Sequence, residues 1–152
     1  MKLSTKYLNR ILQHNDVTKT FFLGTYPACY YPLSKNNIYS FITNTDDHAN
    51  PGQHWNSWFI RDDKISFFDS FGRSPDDPAF PSHYQDLTGN FKNIEYSRTQ
   101  IQGWNDTTCG MFCVHFIYVL SLGLDFQNFI SDYSTNFEIN EKIVYDFIDS
   151  IV

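Results

Sequence analysis

The chain has 152 residues, 41% of them hydrophobic and 18% charged, a balance that suits one globular domain with a real core and carries no signature of disorder. A formal net charge of −6, with Lys and Arg scattered, argues against nucleic-acid binding through broad phosphate neutralisation. No basic, apolar, small-residue leader opens the sequence and no apolar run is long enough to span a bilayer; the expectation is an intracellular protein, neither secreted nor membrane-bound, whose three cysteines suit a reducing compartment, with a single disulfide left open on arithmetic alone.

The first predicted element is a helix over Thr5–His14, because Tyr7, Leu8, Ile11 and Leu12 recur at helical spacing. Ser4 or Thr5 caps its start, and Asn15 is expected to take a left-handed turn at its end. A short apolar segment, Phe21–Tyr26, leads into a Pro- and Tyr-rich loop that holds Cys29. Ile38–Thr43 reads as a strand, and Asp46–Gly52 as a polar turn built on Asn50-Pro51-Gly52. Strands at Trp55–Ile60 and Lys64–Phe68 flank Arg61-Asp62-Asp63, a tight hairpin. Antiparallel pairing there puts His54, before one strand, at the same sheet edge as Asp69, after the other.

Ser74–Pro81 is a loop with three prolines, followed by a short helix near His83–Leu87 and a strand over Asn93–Thr99. The loop Gly103–Thr108 precedes an apolar helix from Cys109 to about Leu122, stopped by Gly123. Helices over Asp125–Asp132 and Glu138–Ser150 follow; in the last, Ile139, Ile143, Val144, Phe147, Ile148 and Ile151 form an apolar stripe. No linker or repeat divides these elements, so a single domain spanning residues 1–152 is expected.

Four side chains carry chemistry. Cys109 is placed at a helix N-terminus, where unpaired N–H groups and the helix dipole favour a thiolate nucleophile. Asp106, Thr107 and Thr108 are its capping candidates, and Gly110 removes bulk beside the sulfur. His54 is the candidate base and Asp69 the acid that orients it, since an acid closing an apolar strand needs a partner. Trp55 is a candidate cover for the imidazole or, equally, a plain core residue. Gln102, or Gln100 on the same strand face, supplies an amide for an oxyanion, beside the Cys109 backbone N–H. Cys113, one turn after Cys109, reads as apolar filler, and Cys29 as the fallback nucleophile. Cys109, Cys113 and His115 do not converge as metal ligands, because positions six apart on a helix point away from each other. No metal, phosphate-cradling loop or other cofactor is expected.

These residues resemble the adenovirus protease (adenain) family of cysteine peptidases, itself similar to the SUMO-deconjugating proteases. The resemblance rests on Phe22-Leu23-Gly24-Thr25-Tyr26, Gly52-Gln53-His54-Trp55, Phe68-Asp69-Ser70-Phe71-Gly72, Ile101-Gln102-Gly103 and Cys109-Gly110-Met111-Phe112-Cys113. The tail Asn140–Phe147 also looks like that family's last helix, and the match is collinear from about residue 7 to 150. It implies an α+β fold, a mixed, largely antiparallel sheet flanked by helices in a rearranged papain-like arrangement with the nucleophile at the N-terminus of a central helix, and a Cys-His-Asp triad of Cys109, His54 and Asp69. The family's Gln-to-Cys spacing of seven selects Gln102 over Gln100. By resemblance the activity is cleavage of viral or virus-like-element precursor proteins at glycine-containing sites during particle maturation. The alternatives are removal of a ubiquitin-like modifier and a silent binding module. The family's acid is usually Glu where Asp69 stands here. The cysteine that bonds an activating peptide in adenoviruses is replaced by Phe91, so any peptide activator here is non-covalent. The acidic charge argues against the family's DNA cofactor. The chain is expected to act as a monomer on capsid or core precursors, in host nucleus or cytoplasm or inside the virion.

Overall fold

A computed structural model describes residues 4–27, 30–45, 54–104 and 107–152. The Asp46–Gly52 turn, Cys29 and Asp106 lie outside the described residues.

Helix α1 (Thr5–His14) buries Leu8, Ile11 and Leu12, and Ser4 caps it by accepting from the Tyr7 N–H at 3.2 Å. Asn15 does not turn left-handed; it is extended, with φ −72° and ψ 133°, and its N–H still bonds to Ile11 O. Its side-chain oxygen instead accepts from the Val17 N–H, turning the chain towards the sheet.

Five strands follow: β1 (Phe22–Tyr26), β2 (Ile38–Asn44), β3 (Trp55–Arg61), β4 (Lys64–Phe68) and β5 (Asn93–Tyr96), adjacent in that order. The β2–β3 and β3–β4 ladders are antiparallel, while β1–β2 and β4–β5 are parallel. The sheet is mixed as expected, with more parallel pairing than the hairpin signals implied. Strand β5 ends at Tyr96, short of the expected Thr99. The β3–β4 turn places Asp62 at φ 56°, a left-handed position that a short polar side chain tolerates.

Strand β3 is buried on both faces, and its alternation divides the core. Trp55 and Phe59, with Ile42 and Phe68, pack under α1 and the C-terminal helices. Trp58 and Ile60 pack on the opposite face with Tyr39, Phe41, Ile65, Phe67 and the α2 (His83–Thr88) side chains Tyr84 and Leu87. Phe41, Trp58 and Phe67 are direct cross-strand partners, so their rings run in a row across three strands. Such pairs each add about 0.2–1 kcal/mol beyond burial.

Helix α3 (Cys109–Ser121) is buried at every position except Tyr118 and Ser121, which makes it the central helix of the fold. It packs on β3 between α1, α4 (Phe126–Ile130) and α5 (Phe137–Ile151). Helix α5 buries Val144 and Ile148, but Ile139 is 52% exposed and does not join the expected stripe. Asn140 takes the buried position instead, for a reason tied to the site below.

Candidate active site

The β3–β4 ladder brings His54 and Asp69 together. Ser57 pairs with Phe68, so one step further sets Asn56 opposite Asp69, with His54 at the same sheet edge. His54 Nε2 lies 2.5 Å from Asp69 Oδ1. Both residues are buried. Cys109 is the first residue of α3 and is 4% exposed; its side chain hydrogen-bonds to the His54 imidazole. With Nε2 committed to Asp69, Nδ1 is the ring nitrogen left for sulfur. Thr108 occupies the cap position of α3, but its side chain makes no cap hydrogen bond and Thr107 is exposed. The expected side-chain cap is therefore not supplied by either threonine.

Burial is the largest influence on the His54 imidazole and disfavours its charged form. The bond to Asp69, the bond to Cys109 and the attraction of both outweigh it, and His54 is raised to about 8. Burial likewise works against the Asp69 carboxylate, yet its bonds to His54 and Arg73 hold it below the usual carboxylate range. The arrangement is a buried imidazole able to carry a proton at neutral pH, held between a thiol and an anion.

Gln102 is buried, and Ser70, Gln100 and Asn140 hold the Ile101–Gln102 segment in place. The Gln102 backbone N–H and that of Ile101 both donate to Ser70 O, at 3.1 and 2.9 Å. Ser70 Oγ donates to Gln102 Oε1, so the donor end of the amide, Nε2, is the end turned away from Ser70. From the other side Asn140 Nδ2 donates to Ile101 O at 2.9 Å and to Ser134 O at 2.7 Å, which explains a polar residue at a buried α5 position. Gln100, the competing amide, donates to Gln102 O at 2.9 Å and so supports the segment.

The turn that carries Ser70 depends on Gly72. Its φ is +77°, and a Cβ there would lie 2.7 Å from Arg98 O and 2.8 Å from Thr99 C, both backbone atoms. Gly72→Ala is expected to cost about 1–3 kcal/mol from strain in the left-handed region, plus the clash. Denaturant unfolding measures it directly, and a loss within 0.5 kcal/mol contradicts the assignment.

The cover over the imidazole is Phe71, not Trp55. The Phe71 ring stacks on His54 at 4.6 Å and 16°, and Trp104 stacks on Phe71 at 4.4 Å, with 65% of Trp104 exposed. Trp55 points into the core under α3. The second cysteine, Cys113, is fully buried; burial pushes its thiol well up, and it donates to Trp55 O at 3.4 Å. His115 turns to Tyr133 OH at 2.5 Å, so Cys109, Cys113 and His115 engage three different partners. Among the described residues no group of three or more His, Cys, Asp or Glu side chains gathers as a metal site.

Arg73 and Asn56 were not singled out by sequence reasoning, and Ser70 and Phe71 stood only as parts of a matching segment, without a role. A signal existed for Asn56, since the hairpin register that joins His54 to Asp69 also sets it opposite the acid.

No family model matches the chain. It is 27% identical over 163 residues to a protein of Acanthamoeba polyphaga mimivirus assigned by name to the thiol proteases, covering 91% of this chain and 54% of that one. It is 30% identical over 112 residues to the protease of Bovine adenovirus 2, covering 64% of this chain and 54% of that one. The chain thus spans about half the length of these curated relatives. In structure it is similar to the ASFV pS273R protease, with a TM-score of 0.61 and 18% identity, over 94% of this chain and 66% of that one. In sequence the chain is thus similar to proteases of a mimivirus and of an adenovirus, and it shares the fold of a viral protease.

Proposed function

We propose that the chain is a cysteine endopeptidase that cleaves viral precursor proteins at glycine-containing sites during particle maturation, acting as a monomer inside the infected cell or the particle. One observation carries this reading: the His54 imidazole is hydrogen-bonded at once to the Asp69 carboxylate and to the Cys109 side chain at a helix N-terminus. Cys109 Sγ passes its proton to His54 and attacks the scissile carbonyl carbon. The carbonyl oxygen becomes an oxyanion, stabilised by the Gln102 amide and the Cys109 backbone N–H. His54 then delivers the proton to the departing amine, leaving a thioester. Water adds to the thioester with His54 as base, releasing the acid and regenerating the thiol.

Thiol labelling tests the reading without knowledge of the substrate. Iodoacetamide at mildly acidic pH is expected to modify Cys109 at least tenfold faster than Cys113 or Cys29, because an imidazolium-paired thiolate reacts at a pH where an ordinary thiol stays protonated. Peptide mapping by mass spectrometry gives the site-specific rates. Equal rates at the three cysteines contradict the proposal. Glycine-containing capsid peptides, tested against modifier-conjugate probes, then separate precursor cleavage from deconjugation.

A further inference from the structure

Asp69 accepts more hydrogen bonds than orienting one imidazole requires. Oδ1 accepts from His54 Nε2 at 2.5 Å, Asn56 Nδ2 at 3.0 Å and Arg73 Nη2 at 3.3 Å. Oδ2 accepts two bonds, both from Arg73: the backbone N–H at 3.0 Å and Nε at 2.8 Å. The Asp69 side chain is fully buried, and that of Arg73 is 24% exposed. The guanidinium is itself held in place, over the Phe80 ring at 4.6 Å and the Phe71 ring at 5.3 Å. Phe71 is the ring stacked on His54, so one arginine braces both the acid and the cover of the imidazole.

We propose that Arg73 is a positioning residue for His54: its fork fixes the Asp69 carboxylate, and its positive charge sets the pH at which His54 gives up its proton. Geometry makes the two effects separable. The fork is planar and bonds Asp69 through two nitrogens, which locks the rotation of the carboxylate about its last bond. The charge is shared, because His54 and Arg73 draw on the same anion. The other titratable groups facing this pair are Cys109 and Cys113 of α3 and Tyr84 of α2. Burial keeps Cys113 and Tyr84 in their neutral forms, so Arg73 is the cation that competes with His54 for Asp69. The catalytic consequence rests on the cysteine-protease reading, whereas the measurement reads His54 itself.

The test is an NMR titration of the His54 imidazole in the full chain, comparing wild type with Arg73→Gln and Arg73→Lys. Arg73→Gln removes the competing charge and keeps a donor for Oδ2. Its His54 midpoint is expected about half to one pH unit above wild type. Arg73→Lys keeps the charge without the fork. Its midpoint is expected within about 0.3 of wild type, with Cys109 alkylation slowed severalfold through looser geometry. A folded Arg73→Gln whose midpoint is unchanged or lower overturns the proposal. Should Arg73→Gln not fold, the lysine variant decides: a midpoint moved by half a pH unit or more overturns the charge-sharing role. A wild type that resists alkylation at Cys109 counts against the protease reading and leaves the titration result standing on its own.

Discussion

Cys109→Ala is expected to lower turnover by about 10⁴–10⁶, to the level that binding and the oxyanion donors sustain alone. The reason is chemical rather than structural. In the proposed mechanism the thiol forms the covalent bond, and alanine at the first position of α3 keeps the helix start and its backbone N–H. The substitution removes one sulfur from a site that is 4% exposed, so stability should change by about 1 kcal/mol or less. Cys113→Ala supplies the contrast on the same helix. It loses a hydrogen bond to Trp55 O and leaves a small void, but it takes no group from the reacting centre. Its turnover is expected within a few-fold of wild type. Cleavage of a glycine-containing precursor peptide, followed by mass spectrometry, separates the two. A Cys109→Ala protein that retains a tenth of wild-type rate would sink the assignment.

The residues of that centre were legible because each sits where a local pattern ends. His54 precedes a strand, Asp69 closes the next, and a two-residue hairpin brings the two ends to one edge. Cys109 was visible as the start of an apolar run, and Gln102 was preferred to Gln100 only through the spacing that the family resemblance implies. What stayed hidden was set by partners distant in sequence. Nothing local in Phe22–Tyr26 or Asn93–Tyr96 says that each strand pairs in parallel, since that depends on how the chain crosses over between them. Periodicity put Ile139 in the core stripe, but the position that faces inward is Asn140, required by the Ile101 and Ser134 carbonyls. Nothing in the sequence marks Arg73, and only the fold shows that its charge lies against Asp69. Phe71 displaced Trp55 as the cover for a similar reason: the alternation of β3 turns Trp55 into the core, while the Gly72 turn folds Phe71 over the imidazole.

Asp69→Asn is expected to reduce turnover by about 10³–10⁴ while leaving Cys109 and Gln102 in place. The sign of the accompanying pH effect follows from what holds the His54 proton. Burial is the strongest influence on His54 and works against its charge; the bond to Asp69 is the first of those that reverse it. Without the carboxylate the imidazole should fall below its ordinary range, and the alkaline limb of the rate profile, near pH 8 in wild type, should move to lower pH. This is opposite to the direction expected for Arg73→Gln, so the two variants check each other. Stability follows by linkage. A histidine raised from 6.5 to about 8 contributes about 2 kcal/mol that is complete below pH 6.5 and is lost as pH rises through 8. The depressed carboxylate contributes in the other sense, present above the ordinary aspartate range and lost as pH falls through its folded value. Breaking this buried cluster should cost about 2–4 kcal/mol near pH 6, where both contributions are in force. The gap between wild type and Asp69→Asn should therefore be widest near pH 6 and narrow towards pH 9, as His54 discharges in the wild type. Chemical denaturation at pH 6 and pH 9 measures it. A gap unchanged between pH 6 and pH 9 would mean that the Asp69 charge serves Arg73 alone, and that His54 is not its partner.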